Sequence, residues 1–154
     1  MTNFKESKIL PYPALQMCNL IMDIENYPQF LPWCRIAKIT EIIDDQNLKA
    51  DLVINFKNFF EKYTSLVSHH KISDKEFKIK AIAIDGPFKT LVTKWHITST
   101  DDQKSQIDFF IDFSFNSIIL EKMISSLFKK AAQKMINAFE ERAKFLYGNS
   151  QISL

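Results

Sequence analysis

The spacing of hydrophobic and polar residues changes period several times along the chain, and each change predicts an element. Asn3 to Leu10 reads as a short strand, with Phe4 and Ile9 as its apolar contributors and Lys5, Glu6 and Lys8 exposed. Pro11 and Pro13 break it, and Pro13 suits the first position of a helix. Leu15, Cys18, Ile21 and Met22 then recur at helical spacing, widened by Leu20 and Ile24, which predicts an amphipathic helix from Ala14 ending near Asp23 to Asn26. A second short helical turn fits Glu25 to Phe30. After Trp33 the period becomes two. Arg35 to Ile43 is a strand candidate, and Leu48, Ala50, Leu52, Ile54 and Phe56 alternate with polar residues. Asp44-Asp45-Gln46-Asn47 between them is turn chemistry, so the two runs form a hairpin. Beyond a break at Lys57-Asn58, alternation resumes in Phe60 to His70, Phe77 to Ala83, Phe88 to Thr98 and Ile107 to Phe115, with turns at Ser73-Asp74-Lys75, Asp85-Gly86-Pro87 and Asp101-Asp102-Gln103. The last of these strands, with Ile107, Phe109, Ile111, Phe113 and Phe115 on one side, has the cleanest alternation and the bulkiest inward face.

From about Ser117 to Tyr147 there is no proline or glycine, and Gly148 closes the stretch as a C-terminal cap. Leu120, Ile124, Leu127, Ala131, Met135, Ala138 and Phe139 define an apolar line, with Phe128, Ala132, Ile136 and Leu146 widening it. This predicts one helix of roughly 30 residues, well above the mean length. Strands joined by short turns pair antiparallel, and such a sheet buries one face against the available apolar helix. The expected fold is therefore α+β: a curved antiparallel sheet of about seven strands around a long C-terminal helix, with two short helices after the first strand. This is the helix-grip arrangement, with a tunnel wherever side chains do not fill the space between sheet and helix. Residues 1–148 are read as one domain and 149–154 as a tail without usable pattern.

Tyr27-Pro28-Gln29-Phe30-Leu31-Pro32-Trp33-Cys34 stands apart. Its two prolines fix their own φ and push the preceding residue towards extended backbone, so it ends the helical pattern as a stiff apolar connector. A connector this apolar either tucks under the core or rims an apolar cavity.

Composition narrows the chemistry. With 154 residues the chain is long enough for a substantial core. Only two glycines and no Gly-rich phosphate motif argue against the common nucleotide-dependent chemistries. A net charge of +2 does not by itself imply a nucleic-acid partner, and none is expected with DNA. Cys18 and Cys34 are not a CxxC pair, and His69, His70 and His96 are too scattered for a metal site. No secretory signal or membrane-length apolar run is visible, so a cytoplasmic, single-domain protein with reduced thiols is expected. No nucleophile has a supporting base, so catalysis and a required cofactor are not expected.

The connector, Asp85-Gly86-Pro87-Phe88-Lys89-Thr90-Leu91 with Trp95 following, Asp112-Phe113-Ser114-Phe115 and Ala138-Phe139-Glu140-Glu141-Arg142-Ala143 stand in that order. Together they resemble the coenzyme-Q-binding, START-like (SRPBCC) family, whose bacterial members include RatA-type ribosome association toxins. The resemblance spans roughly Phe4 to Gly148. It implies a helix-grip fold with an apolar tunnel for ubiquinone or a similar polyprenyl lipid, held without catalysis in support of respiratory electron transport. It also implies an alternative, binding of the large ribosomal subunit to block subunit joining.

Candidate tunnel and rim residues are Phe30, Leu31, Pro32 and Trp33 of the connector, with Leu52, Ile54, Phe56, Phe88, Leu91, Trp95, Phe109, Ile111 and Phe113 of the strands. The long helix adds Leu127, Phe128, Ala131 and Met135. Periodicity alone reads the strand residues as core, since aromatic side chains dominate cores. Lys122, Lys129, Lys130 and Lys134 form a modest basic helix face, read either as solvated or as a contact for ribosomal RNA phosphate or for anionic lipid at a membrane surface.

Overall fold

A computed structural model describes residues 2–56 and 59–148, without the side chains of Phe56 and Phe59. The expected break at Lys57-Asn58, the tail Asn149 to Leu154 and the Phe56 side chain lie outside the described residues. Seven strands are present: β1 (Thr2–Leu10), β2 (Cys34–Ile42), β3 (Asn47–Phe56), β4 (Phe59–Ser73), β5 (Glu76–Asp85), β6 (Phe88–Ser99) and β7 (Ser105–Phe115). They form a single antiparallel sheet in the order β1-β7-β6-β5-β4-β3-β2. Helix α1 (Ala14–Met22) and a 3-10 turn over Ile24–Gln29 follow β1, and α2 (Ile118–Tyr147) ends the fold. This is the expected α+β helix-grip architecture. The chain meanders from β2 to β7, and β1 then docks on β7 with Phe4 opposite Ile111. Register shifts at Cys34/Ile36, Ile39/Glu41, Thr64/Ser65 and Phe88/Thr90 interrupt the ladders, and such bulges bend a strand and sharpen its twist. The sheet therefore curves towards α2.

The ends of α2 follow from local chemistry. Ser117 Oγ accepts from the Leu120 N–H, Glu121 sits in the first turn and Lys144 in the last, which suits the helix dipole. Gly148 ends the helix at φ 60°, and its N–H donates to the Lys144 carbonyl.

The core is centred on Trp95, whose ring lies 4.5 Å from Phe109 and 5.0 Å from Phe139 of α2. Phe139 in turn meets Tyr27 at 5.5 Å and Phe30 at 5.2 Å, both edge-on, so the connector is bolted to the helix. Among the described residues every inward position of β7 from Ile107 to Phe115 is buried.

Several details depart from the sequence reading. Ile9 is 65% exposed, because inward register on β1 falls to Phe4 and Leu10. Leu15 is 53% exposed while Met17 is buried, a rotation of the α1 face towards the sheet. Pro13 is the extended residue before α1, not its first helical residue. On α2 the buried line is Ile124, Phe128, Ala132, Ile136, Phe139 and Ala143. Leu120, Leu127, Ala131, Met135 and Ala138 only flank it, and Leu146 is exposed. Apolar residues occur on both rows, and the sheet's curvature selects between them.

Candidate functional site

Two cavities lie between the sheet and α2, of about 120 and 170 Å³. They share Trp33, Ile54, Tyr63, Thr93 and Met135 as lining residues, and so form two lobes of one apolar space. Leu31, Cys34, Leu52, Trp95 and Phe109 line the first lobe, with Ile21, Ile24 and Tyr27 from the helical segment after β1. Phe88, Leu91, Ile111, Phe113, Phe128, Ala131 and Ala132 line the second. The connector is held in place by its backbone: the Leu31 N–H donates to the Tyr27 carbonyl at 2.8 Å, and Asn55 donates to the Trp33 carbonyl at 2.8 Å.

Of the residues proposed from sequence, three face elsewhere. Phe30 backs the wall by packing on Phe139 and carries the Arg142 guanidinium 5.3 Å over its ring. Pro32 is exposed, and Leu127 is half-buried beside the second lobe without lining it. Lys122, Lys129, Lys130 and Lys134 are all exposed on α2. They spread around the side of the helix away from Phe128 and Ala132, and do not converge.

The sequence reading missed the polar part of the wall. Tyr63, Ser65 and Thr93 bring hydroxyls to an otherwise apolar surface. Their signal was inward alternation on β4 and β6, where a small polar residue in an apolar run marks a place for a partner. Tyr63 packs edge-on against Phe88 at 5.3 Å. Gly86, in the β5–β6 turn at φ 126°, leaves room for it, since a Cβ there would lie 2.6 Å from the Tyr63 Cβ.

The wall carries no group that titrates near neutral pH. Burial, and secondarily Cys34, holds the Tyr63 phenol far above its ordinary pKa, so it stays a neutral donor. Tyr27 is raised in the same way, chiefly by burial, and donates to the Ile21 carbonyl. Burial pushes the Cys34 thiol up to about 11, which leaves it protonated and weakly nucleophilic. Among the described residues no aspartate, glutamate, histidine, lysine or arginine lines either lobe. Among the described residues no cluster fits a metal ion. His96 points to the opposite side of the sheet from Trp95, where its Nε2 lies 2.7 Å from Glu76 Oε2 and its Nδ1 3.8 Å from Asp108 Oδ2.

Residues 10–140 match the family model described as polyketide cyclase / dehydrase and lipid transport. The chain belongs to that family. Within it, the chain is 42% identical over 148 residues to the ribosome association toxin RatA of Rickettsia prowazekii (strain Madrid E), covering 94% of this chain and 97% of that one. It is 28% identical over 155 residues to the mitochondrial coenzyme Q-binding protein COQ10 homolog B of Xenopus laevis, covering 98% of this chain and 62% of the other. The solution structure of an 18 kDa protein from Caulobacter crescentus superposes with a TM-score of 0.74 at 29% identity, over 96% of this chain and 99% of that one. The START-like, helix-grip membership expected from the connector and its companion segments is thus shown, together with kinship to RatA-type and COQ10-type proteins.

Proposed function

We propose that the chain binds an apolar lipid, ubiquinone or a similar polyprenyl compound, in the two-lobed space and carries it without chemical change. The observation that carries this reading is the wall itself: largely apolar, with neutral hydroxyls at Tyr63, Ser65 and Thr93 and, among the described residues, no acidic or basic side chain. An isoprenoid tail gains from leaving water at about 0.8 kcal/mol per buried CH₂. The hydroxyls suit quinone carbonyls, which only accept hydrogen bonds. Typical ligand pockets span about 300–1,000 Å³, larger than either lobe alone, so loading requires the side chains that line both lobes, Trp33, Ile54, Tyr63, Thr93 and Met135, to give way and join them. Near the second lobe, where α2 begins, Ile118 and Ile119 are 72 and 79% exposed. Such a tip suits peripheral contact of a cytoplasmic protein with the inner membrane face, where the lipid would be collected in support of respiratory electron transport.

Native mass spectrometry with organic extraction, on protein purified gently from its own host, tests the reading. A quinone co-purifying at substantial occupancy supports it, and protein free of lipid in that preparation overturns it.

The 42% identity to a ribosome association toxin favours a second reading, binding of the large ribosomal subunit with a block on subunit joining. Ala132→Trp, which fills the second lobe, should abolish lipid binding and leave co-sedimentation with the large subunit intact. Reversal of Lys129, Lys130 and Lys134 to glutamate asks whether the α2 face is the contact.

A further inference from the structure

The outer face of the sheet carries a second surface, on the side away from α2. Its register aligns Lys5 opposite Phe110, Phe110 opposite Lys94 and Lys94 opposite Lys80, one straight row across β1, β7, β6 and β5. At about 4.8 Å per strand step, the row is roughly 14 Å long. Lys78 and His70 stand opposite one another in the adjacent row. These side chains line an open depression of about 920 Å³.

Two features mark it as more than a solvated face. Lysines directly opposite on neighbouring strands repel and destabilise a sheet, yet Lys80 faces Lys94, and among the described residues neither they, Lys5 nor Lys78 has a carboxylate within ion-pair distance. The acids that line the depression are engaged elsewhere, and Asp112, two residues along β7 from Phe110, does not line it. Asp108 accepts from Ser7 and faces His96, while Glu6 accepts from Gln133 on the α2 side. Phe110 lies between two of the lysines, with Lys5 Nζ 5.7 Å and Lys94 Nζ 5.8 Å from its ring centroid. Cations in line with an aromatic platform are the combination that holds single-stranded nucleic acid: phosphates on the lysines, a base on the ring.

We propose that this outer sheet face binds RNA, with Lys5, Lys80 and Lys94 on successive backbone phosphates and Phe110 stacking a base. A depression admits a narrow polyanion better than a flat lipid surface, and it lies on the other side of the sheet from the lipid-facing space. The proposal takes the ribosome-association reading as its setting and places the contact on the sheet instead of on α2.

The test is fluorescence anisotropy of a labelled 12-nucleotide single-stranded RNA with the full chain at 50 mM salt. It is run on the unmodified protein, on Lys80→Ala/Lys94→Ala, on Phe110→Leu and on Lys130→Ala/Lys134→Ala of α2, with thermal melts confirming that each is folded. The expected result is binding that weakens with salt. Loss of two phosphate contacts should lower affinity at least about tenfold and the log–log salt slope by about 1.4. Phe110→Leu should lower affinity about fivefold or more, at an unchanged slope. The α2 variant should bind as the unmodified protein does. No RNA binding, or binding that Lys80→Ala/Lys94→Ala leaves intact, overturns the proposal. Co-sedimentation of the same proteins with large ribosomal subunits separates this outcome from the broader reading. A protein that sediments with the subunit but fails the RNA assay keeps ribosome association and loses this surface.

Discussion

The two faces of the sheet are built from the same strands and have opposite chemistry. Inward, β5 to β7 present Phe77, Ile79, Trp95, Ile97, Phe109 and Phe113, all buried. Outward, one residue along, they present Lys78, Lys80, Lys94, His96, Asp108 and Phe110. The inner face is held by packing, and its cost on mutation is set by lost contacts and cavities. The outer face adds only exposed contacts, such as those of His96 with Glu76 and of Ser7 with Asp108, to its backbone ladders, and such contacts contribute little, so most of its side chains can be chosen for what they bind. Stability and binding should therefore separate cleanly between the faces.

The largest effect should come from removing the centre of the inner face. Trp95→Ala loses contacts with both Phe109 and Phe139 and should cost about 3–5 kcal/mol in urea unfolding. Next, Gly86→Ala places a Cβ 2.6 Å from that of Tyr63 at φ 126°. Backbone strain of about 1–3 kcal/mol is expected, with Tyr63 displaced and lipid occupancy reduced in the same mass spectra. Ser117→Ala removes the cap of α2 and should cost about 1 kcal/mol. On the outer face, Lys80→Ala relieves a like-charge pair and should leave the melting temperature equal or slightly higher, within about 0.5 kcal/mol. A loss of several kcal/mol there would dissolve the contrast. The smallest effect is electrostatic. Asp108 has its pKa lowered, first by the Ser7 hydroxyl and then by Gln106 and His96. Its contribution is thus complete above the ordinary carboxylate value and is lost as pH falls through the lowered one. Asp108→Asn should lower stability slightly at pH 7, where the ionised carboxylate contributes in full, and meet the unmodified protein at low pH, which flattens the profile below about pH 4.

Much of the fold was legible in the sequence because its strongest signals are local. The alternation of Ile107 to Phe115 needs no tertiary knowledge, and Gly148 marks the end of α2 by cap chemistry alone. The phase of the α2 stripe was less legible. Rows beginning at Leu120 and at Ile124 are both apolar, and only the curved sheet determines which is deepest. In the cavity, alternation put Trp95, Phe109, Ile111 and Phe113 on the inward side, but the direction of Phe30 against that of Trp33 depends on a turn that periodicity does not describe. Tyr63, Ser65 and Thr93 were hidden for a different reason: a hydroxyl among apolar residues reads as a flaw in a pattern until the opposing wall is known. The outer lysine row was invisible, since alternation exposes each lysine but only the cross-strand register lines them up.

The pairing of β1 with β7 has a consequence in time. Thr2 lies opposite Phe113, so the first strand finds its only neighbour in the sheet after some hundred further residues have been made. At about 5–20 residues per second, β1 waits on the order of 5–20 s after it is synthesised before β7 exists. During that interval the hairpins from β2 onward can form in turn, each from residues already made, while Phe4 and Leu10 stay uncovered. A strand made before all the others in the sheet is therefore among the last to be folded, and the sheet closes only when β7 reaches β1.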